Sequence, residues 1–405
     1  MRIGYVVQRT YPARLTGSEK YIHDIANQIA TTDDVTVLAT ASPSNSRRGA
    51  TPAPNQIFRV QTFPELSVPP VRYLARSVMN MDRSNRLRRF VGSFGGGFVY
   101  SWMYGFFSPG LKEHLRESGY DVLHTVAVPT ATAWVTWRGA RATSTPFVIN
   151  PSLHPATSEQ FLPFVFAMIH EAAAVIASTP AEATLLERWG IPKERIFLIP
   201  SGFDLLHTPA GNRERFRAMY SIDEGAFVTL VPRKAPEKGA LETLRALRSV
   251  ARTRRNLVVV LLGVPSAPVQ FQVEREVARL TQSGVRCLDL GYLPLELYVD
   301  AVAGCDVVCQ PSRTDSFGLV YLDAWFQRRP VIAADIPQMR DVVQEGETGL
   351  LVRFGDSSDV ERKLEQLADH PDLRTKLGEA GLKDLRLKYD LRVIASRVRR
   401  VYEVL

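Results

Sequence analysis

Two short stretches carry residue types that could hold an anion. The first, Val231-Pro232-Arg233-Lys234-Ala235-Pro236-Glu237-Lys238-Gly239, follows an apolar run and precedes a helical pattern. A guanidinium grips phosphate oxygens as a fork and an ammonium adds a compact charge, so Arg233 and Lys238 could converge on one anionic group. A solvated basic turn would look the same in sequence. The second stretch runs from Pro311 to Asp323, and a helix is expected to begin near Ser316 to Gly318. Free backbone N–H groups at a helix start make a phosphate site, and Gly318 permits close approach. Asp315 stands before that helix and Asp323 is expected about two turns into it. One carboxylate could sit near a sugar and the other reach a ribose, or Asp315 could merely cap the helix. Cys305 and Cys309 flank Asp306, but no fourth ligand stands nearby, and burial in a strand accounts for them better than a metal.

These loops need elements to hold them. Ile3 to Val7, a loop over Tyr11 to Gly17, an amphipathic run through Ile22, Ile25, Ala26, Ile29 and Ala30, and then Val35 to Ala39 read as a βαβ unit. Further strands are expected at Asp121–His124, Phe147–Ile149, Val175–Ala177 and Ile196–Ile199. The second half repeats the architecture, with strands at Phe227–Val231, Leu257–Leu262, Arg286–Leu290, Val307–Gln310, Val331–Ala334 and Leu350–Val352. Helices are expected between them at Leu241–Val250, Leu295–Val302, Leu319–Phe326 and Val360–Leu367. Strands alternating with helices imply parallel sheets covered on both faces. The fold class is therefore α/β with two Rossmann-like domains. An N-terminal domain over 1–200 and a C-terminal domain over 201–388 are expected, with the helix at about 389–405 packing back on the first.

Composition agrees with that reading. At roughly 150 residues per domain, 405 residues allow two or three. Hydrophobic residues make up 45%, which argues against disorder. The formal charge of +8 favours an anionic partner. Three cysteines suit a reducing cytosol better than a stapled secreted fold. No run approaches the ~20 apolar residues of a membrane span, and MRIGYVVQRTYP reads as a strand rather than a signal peptide. From Arg72 to Arg89 six arginines meet one acid, Asp82, and the aromatic run Phe94 to Phe107 follows. That pairing would suit a peripheral contact with the inner face of a membrane, or simply a solvated helix face followed by a core helix.

The ordered set of motifs resembles the GT-B-fold, retaining glycosyltransferases of family 4, over nearly the whole chain. The resemblance rests on Arg233 and Lys238-Gly239, on Asp315, Phe317-Gly318 and Asp323, on Pro330 to Ala333 and on Thr348 to Val352. It rests also on Ile199-Pro200-Ser201-Gly202-Phe203-Asp204, Thr16-Gly17-Ser18-Glu19 and Asp121-Val122-Leu123-His124. It implies two domains facing each other across a cleft, and transfer of a sugar from a UDP-, GDP- or ADP-linked donor to an unidentified acceptor hydroxyl. Neither a metal nor another cofactor is implied, and no nucleic acid partner.

By the same resemblance, Arg233 and Lys238 would neutralise the diphosphate, with the amides of Ser316, Phe317, Gly318, Leu319 and Val320 assisting. Asp323 would accept from the ribose, Asp315 would contact the donor sugar, and Gly17 would let its loop approach the phosphate or acceptor. Backbone near Tyr292 and Leu293 would hold the base. His154, two residues later than the family spacing, is the candidate catalytic histidine, with His124 behind it. Four departures stand out, one of them an N-terminal glycine pair of which only Gly17 remains. Both family glutamates are aspartates here, Pro232 replaces a glycine, and Asp335 to Asp341 replaces a glycine-rich loop. They leave open a second reading, a catalytically weak or inactive GT-B homologue that binds nucleotide sugars or stabilises a partner.

Overall fold

The computed structural model describes residues 1–10, 17–41, 56–64, 108–154, 160, 162–265 and 270–405. The basic stretch Arg72–Arg89 and the aromatic run Phe94–Phe107 lie outside these residues. The chain divides into two compact units, Met1–Gly202 with Leu391–Leu405, and Phe203–Asp390.

Among the described residues the first unit carries seven parallel strands: β1 (Arg2–Val7), β2 (Asp34–Ala41), β3 (Arg59–Pro64), β4 (Val122–Val126), β5 (Phe147–Asn150), β6 (Ala174–Ala177) and β7 (Ile196–Leu198), in the order β3-β2-β1-β4-β5-β6-β7. Its helices are α1 (Gly17–Ile29), α2 (Pro109–Glu117), α3 (Ala131–Thr143), α4 (Pro163–His170) and α5 (Pro180–Arg188). Alternation along the strands splits the core between the two sheet faces. In β1, Ile3, Tyr5 and Val7 pack on one side with Ile22 and Ile25 of α1, while Val6 packs on the other with Leu111 and Leu115 of α2. Thr130 and Thr179 cap α3 and α5 by accepting from Ala133 N and Glu182 N.

Among its described residues the second unit has six parallel strands: β8 (Phe227–Val231), β9 (Leu257–Leu262), β10 (Arg286–Gly291), β11 (Val307–Gln310), β12 (Val331–Ala334) and β13 (Leu350–Val352), in the order β10-β9-β8-β11-β12-β13. Its helices are α6 (Arg213–Met219), α7 (Ala240–Val250), α8 (Gln270–Gln282), α9 (Leu295–Gly304), α10 (Leu319–Phe326), α11 (Pro337–Val342), α12 (Ser357–Asp369) and α13 (Pro371–Lys388). The last helix of the chain, α14 (Leu391–Glu403), packs on α1 of the first unit and buries Leu391, Ile394, Val398 and Tyr402.

In both units the chain builds strands outward from the first, then returns to its other side. This reversal puts a crevice at the carboxyl ends of β1 and β4, and of β8 and β11. β8, β9 and β11 are buried along their whole length, as strands covered on both faces must be. Among the described residues no helix is long and apolar enough to cross a membrane.

Candidate functional site

The loops leaving β8 and β11 flank the second unit's crevice, and hydrogen bonds tie them together. Lys238 ends a single 3₁₀ turn, Pro236–Lys238, and is buried. Its Nζ donates to Asp315 Oδ1 at 2.9 Å and to the Thr314 carbonyl at 3.0 Å. Gln310, the last residue of β11, donates its side-chain amide to Asp315 Oδ2 at 3.2 Å, and its carbonyl accepts from Tyr321 OH at 2.7 Å. Backbone contacts brace the pair, since the Glu237 carbonyl accepts from Arg313 N at 2.8 Å and Ser312 Oγ at 3.1 Å. Gly239 must be glycine here. Its φ is +70°, and a Cβ would lie 2.4 Å from the Pro311 carbonyl oxygen.

Helix α10 begins at Leu319, with Gly318 as its N-cap at φ +84° and no side chain capping it. Asp315 therefore does not cap the helix; its carboxylate belongs to Lys238 and Gln310. The amides of Leu319 and Val320 open the helix, where no carbonyl of an earlier turn can accept from them. Ser316 leads into the turn, and Phe317 is committed to the core, edge-on to Tyr389 at 5.5 Å. Asp323 is the fifth residue of α10, little more than one turn in rather than two, because the helix starts later than its sequence suggests. Its Oδ2 accepts from Tyr298 OH at 2.7 Å. Burial, reinforced by that carboxylate, raises the Tyr298 phenol well above its usual pKa and keeps it a donor.

The basic loop after β8 divides its labour differently from its sequence appearance. Arg233 is exposed, and no hydrogen bond brings it to the Lys238–Asp315 pair. Lys234, which the motif reading passed over, is 2% exposed and ion-paired with Asp289 of β10. Tyr292 and Leu293 follow β10, with Tyr292 53% exposed. Cys305 and Cys309 are fully buried, their thiols bonded to the Ala301 carbonyl and the Thr243 hydroxyl. Among the described residues no group of three or more His, Cys, Asp or Glu side chains could hold a metal.

The first unit gathers its candidates less closely. Gly17 opens α1 and is exposed. His124 is fully buried in β4, its Nδ1 2.5 Å from Tyr402 OH and its Nε2 2.6 Å from Asn150 Oδ1; Tyr402 OH in turn lies 2.8 Å from Tyr5 OH. Burial lowers its pKa to about 4, so it stays neutral and joins β4 to β5 and α14. His154 lies beyond β5 and is partly exposed. Its backbone amide is held by Gln160, whose own amide reaches the carbonyls of Val128 and Ser152 at 3.1 and 3.2 Å.

Sequence reading missed Glu182, on α5. It is fully buried and accepts from Leu153 N and Ser178 N, both at 2.8 Å. Burial pushes its carboxyl up to about 7 against the opposite pull of the Leu153, Ser178 and Ser152 amides. Glutamate in a helix's first turn is ordinary, and nothing local in the sequence marks this one as the support of the His154 loop.

Comparison with known proteins places the chain in a family. Residues 16–202 match the family described as Glycosyl transferase 4-like domain, and residues 212–384 match Glycosyl transferases group 1. The D-inositol 3-phosphate glycosyltransferase of Nocardia farcinica is 33% identical over 222 residues, 52% of this chain and 48% of that protein. The alpha-D-kanosaminyltransferase of Streptomyces kanamyceticus is 26% identical over 240 residues, 58% of this chain and 61% of the relative. The match thus spans about half the length of such curated relatives. Among solved structures, HepE of Anabaena in complex with UDP and glucose superposes with a TM-score of 0.76 at 18% identity, covering all of both chains. Sucrose-phosphate synthase of Thermosynechococcus elongatus gives 0.73 at 17%, covering 100% of this chain and 98% of that one. The chain belongs to the group 1 glycosyltransferases of family 4 type, with the two Rossmann-like domains of the GT-B fold.

Proposed function

We propose that this protein is a retaining glycosyltransferase that moves a sugar from a nucleotide-diphosphate sugar to an acceptor hydroxyl. The observation that carries the reading is the convergence of Lys238, Asp315, Gln310 and the uncapped start of α10 on one crevice at the carboxyl ends of β8 and β11. A crevice of that kind is where open α/β sheets bind nucleotides. Lys238 and the amides of Leu319 and Val320 would stabilise the charge that grows on the departing diphosphate, with Arg233 swinging in from solvent. Asp315 holds the ammonium in place and faces the donor sugar. Asp323, oriented by Tyr298, takes the ribose hydroxyls, and the backbone of Tyr292 and Leu293 takes the base.

In the reaction the bond from the anomeric carbon to the diphosphate oxygen breaks. A bond to the acceptor oxygen forms on the same face, and the acceptor proton passes to the leaving diphosphate. His154 is assigned as the residue that the first unit supplies to the chemistry. Cationic side chains and helix amides supply the charge stabilisation that a metal would otherwise give, so turnover should survive excess EDTA. HepE's complexes with UDP and with UDP-glucose make a uridine nucleotide the first donor to test.

The test is calorimetry and turnover with UDP-, GDP- and ADP-sugars. Binding of one donor, with hydrolysis or transfer that His154→Ala and Lys238→Ala both suppress, supports the reading. Saturable binding without turnover against any acceptor would replace it with the non-catalytic subunit.

A further inference from the structure

A second basic centre lies at the opposite pole of the Phe203–Asp390 unit, where β8, β11 and β12 begin rather than end. A cavity of about 680 Å³ opens there between the start of α6, the end of α9, the turn from α10 into β12, and α13. Its volume falls within the usual range of small-molecule sites. Five arginines and three acids line it.

Three acids do not match five arginines, and one of the three, Glu214, is exposed on α6. Asp306 is already engaged, taking Arg213 at 2.9 Å and both Arg217 and the Val228 amide at 2.8 Å. Glu379 pairs with Arg328 at 2.9 Å. Arg374 donates to the Leu367 and Ala368 carbonyls and lies over the Phe227 ring at 5.7 Å, contacts that hold its guanidinium without neutralising it. Arg329 has a buried Nε with no hydrogen-bond partner, and Arg386 stands exposed on α13 at the rim. A buried guanidinium nitrogen left unsatisfied beside other cations is costly to maintain unless an acceptor completes it. Burial, and after it the charge of Arg213, pulls Arg329 below the ordinary arginine value, although it remains cationic.

We propose that this cavity binds a soluble phosphorylated small molecule, with Arg329 and Arg386 gripping its phosphate and Arg374 and Arg213 supplying the surrounding positive field. A planar guanidinium matches phosphate oxygens two at a time, and the cavity leaves room for an attached sugar-sized group. The site is separate from the crevice of Lys238 and Asp315, and the inference does not depend on what that crevice does.

The experiment is calorimetric titration of the full chain with sodium pyrophosphate at fixed ionic strength, in a Lys238→Ala background that disables the other phosphate site. Saturable binding is expected, weakened about tenfold or more by Arg329→Gln and by Arg386→Gln, because each removes a charge-assisted hydrogen bond. Arg386 is a surface residue of α13, so its variant decides the matter even if Arg329→Gln fails to fold. Absence of saturable heat in the Lys238→Ala protein would overturn the proposal. So would an affinity in both glutamine variants unchanged from that of the Lys238→Ala parent.

Discussion

The two units share one topology but treat their chemistry-bearing residues in opposite ways. In the second unit, motif residues separated by some 75 positions are drawn into one hydrogen-bonded set at 2.7–3.2 Å, from Lys238 through Asp315 and Gln310 to Tyr321. In the first unit, His124 is absorbed into a buried cluster with Tyr5, Tyr402 and Asn150, and His154 is positioned through its backbone. The diphosphate proposed to bind here has a fixed shape and charge, and loops built in advance would suit it. Lys238 is already locked to Asp315. The first unit instead fixes its framework from within and leaves the His154 loop hanging from two buried side chains, Gln160 and Glu182.

The strongest way to break this contrast is Lys238→Ala. Loss of a preorganised charge proposed to act on the leaving group should lower sugar transfer about 10²–10³-fold. It also leaves Asp315 without its cationic partner, so a double-mutant cycle with Asp315→Asn should be strongly non-additive for turnover. Additive effects would mean that the two residues serve separate tasks. The matching experiment in the first unit is His124→Ala, which should cost about 3 kcal/mol of unfolding free energy by stranding Tyr402 and Asn150 and opening a cavity. Specific activity of the protein that remains folded should hold. If transfer instead falls with no loss of stability, the histidine assignments in the first unit must be exchanged.

Much of this was legible in the sequence, for an identifiable reason. Strands β8, β9, β11, β12 and β13 read to the residue because sheets covered on both faces demand unbroken apolar runs. β3 escaped notice because it is an edge strand with one buried residue, Phe63, and carries no such run. Helix α13 escaped because Gly378 and Gly381 interrupt its helical pattern. They are there for packing: a Cβ on Gly381 would meet the Trp325 ring at 2.1 Å and one on Gly378 the Arg328 carbonyl at 2.1 Å. In the candidate site, loops and acids were legible because their spacing is local. Lys234 with Asp289, Tyr298 with Asp323, and Glu182 with Leu153 were not, since each pair is joined across 25–55 residues by folding alone.

Titration sharpens the comparison further, because the framework of the first unit carries opposed ionisations. Glu182 is raised from 4.5 to about 7, so the folded protein binds its proton more tightly than the unfolded chain does across that window. Stability should therefore fall as pH rises from 4.5 through 7 and level off above it, by about 3 kcal/mol in all. His124 and His23, each lowered from 6.5 to about 4 by burial, act in the other sense, and their contribution is lost as pH falls below 6.5. Chemical denaturation across pH 4 to 8 should show Glu182→Gln with the alkaline decline removed and the acidic one intact. An unchanged decline would place the responsible carboxyl elsewhere.

The smallest effect is expected at the hydroxyl of Tyr298. Tyr298→Phe keeps the ring in the core and removes only the donor to Asp323 Oδ2. Since Asp323 is the proposed acceptor for the ribose, freeing it from its tyrosine should weaken nucleotide binding by about 1 kcal/mol, near fivefold in affinity. The effect should appear with a ribonucleoside diphosphate and shrink with the 2′,3′-dideoxy analogue, which offers nothing for Asp323 to accept. A loss of equal size with both ligands would show that the tyrosine shapes the whole crevice. A rise in affinity for the ribonucleotide would show that it competes with the ribose for the same oxygen. Only the first pattern, a loss confined to the ribose, keeps Asp323 and Tyr298 alongside Lys238 and Asp315 as parts built in advance for one nucleotide.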